Sequence, residues 1–243
     1  SSARIPVWDY QQIPYIDAWG RTESNGTAGQ RAANNFLNPA YVSTIRQSDM
    51  EKEIERLYEA TEDGGVVPDR ADKSIKLQEG TKYLSAEEYV QYATEKGQKS
   101  YALAEELVNS AAYQAADDTR KADMIRYAYQ YATAVAKTKV SDYALRGWQA
   151  KCAEVTKQTG LSEATYITLS LEQLDVEGYK DKDGDAIANS AGLQKMEVVY
   201  NMPGLNDAQR SALFEAFGVG KKIVHYNKAK VNQELDKLRS KAR

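Results

Sequence analysis

Residues Ser85 to Thr159 read SAEEYVQYATEKGQKSYALAEELVNSAAYQAADDTRKADMIRYAYQYATAVAKTKVSDYALRGWQAKCAEVTKQT, without a proline. Apolar or Tyr side chains recur at spacings of three and four, which puts them on one face of a helix. Ser85 followed by Glu88 is a capping box, in which the hydroxyl accepts from a free backbone N–H while the carboxylate reaches back. The pattern predicts a helix over 86–109. Asp117, Asp118 and Thr119 offer caps for a second, to about Lys139, with Met124, Ala128, Tyr131 and Val135 on one face, flanked by Ile125 and Ala132. Ser141 and Asp142 are expected to open a third, to about Thr159, with Leu145, Trp148, Cys152 and Val155 on one stripe. Three such helices with short joints should pack antiparallel.

Upstream, Ser48 with Glu51 makes another capping box, opening a helix to about Ala60 whose Ile54, Leu57 and Tyr58 face inward. Glu62-Asp63-Gly64-Gly65 stops it and Pro68 keeps the chain extended. SIKLQEGTKYL, 74–84, alternates around Glu79 and Gly80 and reads as a small β-hairpin. Downstream, Gly160 ends the third helix and Ser162 caps a fourth over 163–174. The stretch 176–190, VEGYKDKDGDAIANS, reads as a linker and a boundary. Beyond it come a helix over 191–201, a turn at Met202-Pro203-Gly204, a helix capped by Asn206 with Gln209 to about Phe217, and a last one from about Asn227 carrying Val231, Leu235 and Leu238. The expected fold is mainly α: a multi-helix bundle with one small β-hairpin, an extended N-terminal arm (1–46), a helical core (47–176) and a C-terminal helical subdomain with a basic tail (177–243).

The arm differs from the rest in composition. It holds three of the five prolines and two of the three tryptophans, and Pro6, Pro14 and Pro39 exclude a long helix across it. Trp8, Tyr10, Tyr15, Trp19, Phe36 and Tyr41 are too many large rings for a disordered tail. The arm should lay them into grooves of the body or of a neighbouring chain, with Trp8, Tyr15, Trp19, Phe36 and Tyr41 as the partner-binding candidates.

A chain of 243 residues, 28% charged and 42% hydrophobic, can bury a core and is not of disordered composition. A net charge of −3 gives no global attraction to nucleic acid or anionic lipid. The charge is uneven. Residues 221–243 hold eight Lys or Arg against Glu234 and Asp236, a local +6, which leaves −9 for the remainder. The basic tail, with Lys221, Lys222, Lys228 and Lys230, could grip phosphate or an acidic partner, although a solvated amphipathic helix explains the same residues. No run reaches the length and apolarity of a membrane span, and SSARIPVW is no signal peptide, so a soluble chain is expected.

Few residues suggest chemistry. Cys152 is the only cysteine and lies on an apolar stripe, while the only histidine, His225, is far along the chain. A disulfide within the chain and a zinc cluster are excluded, and no Cys–His pair is suggested. Asp181, Asp183 and Asp185 alternate as in a calcium loop. However, Ala186 stands where the turn wants Gly, and Gly192 where a bidentate Glu is needed, so turn chemistry accounts for them equally well and no metal is assigned. Tyr127, Tyr129 and Tyr131 have only Arg126 nearby, too little positive charge for a nucleic-acid stacking platform. There is no phosphate loop, dinucleotide fingerprint or hydrolase motif, and the carboxylates sit on helix faces beside Lys and Arg. The reading is non-enzymatic and without cofactor.

Three stretches carry a resemblance. IDAWGR (16–21) with NNFLNPAYVS (34–43), residues 84–137 with Gly97-Gln98, and KDKDGDAIANSAGLQKMEVVYNMPGLNDAQRSALFEAF (180–217) resemble segments of very large proteins of bacteriophages and prophages of gut Firmicutes. Those proteins look like tape-measure, internal virion or polyvalent proteins. The resemblance implies a helical end-domain located in the virion, or in the host cytoplasm during assembly or after delivery. Other virion proteins of tail, portal or capsid are the implied partners, and several symmetric copies are expected. A delivered effector that binds host protein or nucleic acid is the alternative.

Overall fold

The structure, a computed structural model, describes residues 13–22 and 47–241. It is mainly helical, with nine helices and one antiparallel hairpin among the described residues. The chain divides into two compact units, which meet in sequence between Leu145 and Arg146.

In the first unit, Ser48 Oγ accepts from the Glu51 N–H and opens α1, Asp49–Thr61. The Glu51 carboxylate does not close the expected box; it accepts from Arg21. A single 3-10 turn, Gly64–Val66, follows. Strands β1, Ser74–Leu77, and β2, Gly80–Tyr83, pair in the register Ser74↔Tyr83 to Leu77↔Gly80, so Gln78 and Glu79 form the turn. Ser85 and Glu88 then make the predicted capping box of α2, Ala86–Val108. A short helix that the sequence pattern does not suggest, α3, Ala111–Ala115, precedes α4, Asp118–Val140, whose cap is Asp117.

Helices α2 and α4 pack together as antiparallel partners. Lys82, just ahead of α2, donates both to Glu88 in its first turn and to the carbonyl of Val140 at the end of α4, each at 2.6 Å. Tyr89, Tyr92 and Ala93 accordingly share a core with Ala136, Val140, Ile75 and Leu84. Met124, Ile125, Ala128, Tyr131 and Ala132 are buried as predicted, and each large apolar side chain buried this way contributes about 1.5–3 kcal/mol. The third member of this bundle is α1, through Ile54 and Leu57. Tyr58 is not inward: it is 44% exposed. At the far end, Tyr113 donates to Glu53, and Arg56 forks onto the same carboxylate at 2.7 and 2.8 Å, which holds Glu53 below the usual carboxylate range.

The predicted third helix differs most. Ser141 turns its hydroxyl back onto the Lys137 carbonyl at 2.7 Å and takes an extended backbone, which ends α4. Residues 141–146 are not helical, and α5 runs Gly147–Thr159. It belongs to the second unit, where it packs against α6, Glu163–Leu174, and α8, Asp207–Ala216. There α7, Ser190–Asn201, pairs with α9, Lys228–Lys241, around Met196, Val199, Val231 and Leu235. The stretch 176–189 lies inside this unit and is tied down: Gly178 N–H donates to Gln194 and Tyr179 N–H to Ser190.

Burial pushes the Tyr92 phenol up to about 12, and raises Tyr113, Tyr129 and Tyr166 as well. A phenol whose pKa is higher in the folded chain than its ordinary 10.0 adds stability that is fully present below that pH. That stability is lost as pH rises through the folded value. We therefore expect part of the tyrosinate absorbance on alkaline titration to appear only together with loss of helical circular dichroism. Full ionisation with helicity intact would contradict this.

Candidate docking site

Residues 16–22 form a tight loop built on Asp17. Its Oδ1 accepts from the N–H groups of Trp19 (3.0 Å) and Arg21 (2.8 Å). Gly20 N–H donates to the Asp17 carbonyl, Asp17 N–H to the Arg21 carbonyl, and Ile16 bridges to Thr22. Gly20 has φ +70°, a left-handed conformation that a side chain would strain. Asp at the first position, Gly at the fourth and a closing bridge make a type I turn with a bulge.

The turn presses its backbone onto α2. A Cβ on Gly97 would lie 1.9 Å from the Gly20 nitrogen, and one on Gly20 would lie 2.5 Å from the Thr94 carbonyl oxygen. The Trp19 ring meets Tyr101 and Tyr129 edge-on, with centroids 5.4 and 6.0 Å apart. Tyr129 in turn donates to the Val66 carbonyl. Arg70 donates to the Ile16 carbonyl and lies over the Tyr15 ring at 4.1 Å. Arg21 bridges Asp17 and Glu51, at 2.8 and 3.1 Å. Of the arm rings, then, Trp19 is buried in the chain's own body and Tyr15 stays partly exposed. Trp8, Phe36 and Tyr41 lie outside the described residues.

Beside the docked loop is a groove of about 380 Å³ lined by Trp19, Gln47, Glu51, Ile54, Glu55, Tyr58, Val67 and Pro68. The α1 contribution, residues 51, 54, 55 and 58, is one helical stripe. Tyr58 and Val67, 44% and 41% exposed, are two of six large apolar side chains exposed among the described residues. Two of these six thus meet at one concavity.

The other predicted candidates sit apart from it. Asp181 repeats the Asp17 turn: its Oδ1 accepts from the N–H groups of Asp183 and Asp185, both at 2.9 Å. Gly184 N–H donates to the Asp181 carbonyl, and Lys180 bridges to Ala186. The three carboxylates do not converge; among the described residues no three His, Cys, Asp or Glu groups do. Asp181→Ala should lower stability by about 1 kcal/mol through lost backbone hydrogen bonds. Excess calcium should leave the melting temperature of the unaltered chain unchanged, and a rise would restore the metal reading.

In the basic tail Lys221, Lys222 and Lys228 are exposed, while Lys230 pairs with Glu234 at 3.0 Å. Among the described residues, the carboxylates whose pKa is shifted are Glu53, Glu88, Asp118 and Glu234, and each is lowered by a cationic neighbour. Such groups hold charges in place. Cys152 is buried on α5. No helix of the described residues is long and apolar enough to cross a membrane. Compared with known proteins, the chain matches no family model, no curated protein and no solved structure.

Proposed function

We propose that this chain is a non-enzymatic interaction module of a phage particle, of the internal virion, ejection or tape-measure kind, which docks onto neighbouring virion proteins. The observation that carries the docking role is the apolar groove at Trp19, Ile54, Tyr58, Val67 and Pro68. Trp19, held by the docked 16–22 loop, is part of its lining, so that side needs little ordering on binding. The setting comes from the resemblance of IDAWGR, residues 84–137 and residues 180–217 to large phage and prophage proteins. The exposed lysines of the tail support a second reading, a delivered effector that grips an acidic host surface.

A photocrosslinking residue in place of Tyr58, carried by the full chain in particles, tests the proposal. Crosslinks to virion proteins, or to other copies of the chain, support it. Crosslinks only to host proteins favour the effector. No crosslink of any kind overturns the groove as a docking surface.

A further inference from the structure

We infer that the groove takes the Lys221–His225 turn of a second copy of this chain, so that copies dock head to tail. The inference rests on reading the chain as an assembly module. None of the eight residues lining the groove is basic; Glu51 and Glu55 are among them, and because Arg21 pairs with Glu51, Glu55 carries the uncompensated charge there among the described residues. Glu59 and Glu62 continue the acidic side along and just past α1. Two copies meeting groove to groove would set these carboxylates against one another, so a symmetric dimer through this surface is disfavoured. The occupant needs an apolar side chain flanked by positive charge.

The chain itself carries such an element. Lys221 and Lys222 are exposed, and among the described residues neither has an ion-pair partner. Val224, 39% exposed, stands beside them, and Lys228 follows. The turn is held rigid from below. Ile223 is buried, the N–H groups of Ile223 and Val224 both donate to the Gly220 carbonyl at 3.1 Å, and Tyr226 N–H donates to Ile223 at 2.9 Å. A preformed apolar tip with two free cations thus complements a preformed apolar groove with an acidic rim. Because groove and turn are different surfaces, the contact is heterologous and leaves one of each unused, which allows open-ended growth.

Light scattering on the full chain over a concentration series tests this. The average mass should rise with concentration and fall with added salt. Glu55→Lys and Lys222→Glu, both at exposed positions, should each weaken association by about tenfold or more. Mixing the two variants is the sharper arm. The intact turn of the first meets the intact groove of the second, and the Lys introduced at 55 meets the Glu introduced at 222 with the charges exchanged, so association should recover in the mixture. A monomer at every concentration, association indifferent to both substitutions, or mixtures that associate no better than either variant alone would overturn the inference. A monomer whose position 58 still crosslinks to another virion protein would sink head-to-tail docking and leave the interaction-module reading standing. A monomer with no crosslink sinks both.

Discussion

Gly97→Ala should destabilise the first unit by about 1–2 kcal/mol, the opposite of what its position in a helix suggests. Gly in a helix interior is about 1 kcal/mol less favourable than Ala, so propensity alone forecasts a gain. The new methyl, however, would sit 1.9 Å from the Gly20 nitrogen and 2.4 Å from the Trp19 carbonyl carbon. These are backbone atoms, and a rotamer change cannot clear them. Either α2 shifts, at the cost of an overpacked core, about 1–3 kcal/mol, or the 16–22 loop lifts off. Lifting exposes Trp19 and Ile16, which are 8% and 1% exposed when docked, and each is worth about 1.5–3 kcal/mol of burial. With backbone atoms this close the first route lies at the upper end of its range, so both outweigh the propensity gain. With Trp8 and Trp148 replaced by Phe, emission from the remaining Trp19 should move to the red and urea unfolding should begin earlier. Gly64→Ala is the control, because nothing lies within 4 Å of its added methyl. Unchanged emission and stability in Gly97→Ala would refute the close approach.

What the sequence reveals and what it hides follow from range. Ser85 with Glu88, Asn206 with Gln209, Asp117 and Ser162 were all legible as caps, because each cap is settled by residues three apart. The start of α5 was not legible. Ser141 has cap chemistry, but its hydroxyl is used to end α4, and the true N-cap, Arg146, makes no side-chain capping hydrogen bond. The periodicity of residues 147–159 correctly marks a buried stripe at Cys152 and Val155, yet periodicity says nothing about which neighbour covers it. For the same reason a three-helix bundle was a sound expectation with the wrong third member.

The groove was illegible for a related reason. It joins residue 19, residues 47–58 and residues 67–68, and no local pattern connects them. Tyr58 follows Ile54 and Leu57 at helical spacing and therefore reads as core, but it stands at the edge of the buried face and opens onto the concavity. One signal was present: Gly97 interrupts a helical pattern without a local reason, which marks close backbone approach. The Asp-rich loop shows the reverse case. Asp181-Lys182-Asp183-Gly184 and Asp17-Ala18-Trp19-Gly20 form the same Asp-anchored turn, and the first resembles a metal loop only because its tip residues are charged.

Trp19→Ala should cost about 3–5 kcal/mol, in the range for a buried Trp truncated to Ala, since it empties the space between Tyr101 and Tyr129. The informative quantity is its coupling to Gly97→Ala. Trp19 and Gly97 touch through the same loop, so their effects should not add. Once Gly97→Ala has lifted the loop, the Trp19 ring no longer fills its site and its removal should cost little more. The double variant should therefore lie within about 1 kcal/mol of the worse single variant. Full additivity in urea unfolding would mean that the ring stays docked when the glycine contact is lost, and that the loop is not one cooperative element. The same pair separates structure from docking. Trp19 also lines the groove, so its loss should abolish crosslinking from position 58, whereas Glu55→Lys should weaken docking about tenfold or more with stability unchanged. Trp19 of the arm thus serves the fold of its own chain, and Tyr58 and Val67 stand exposed beside the docked loop.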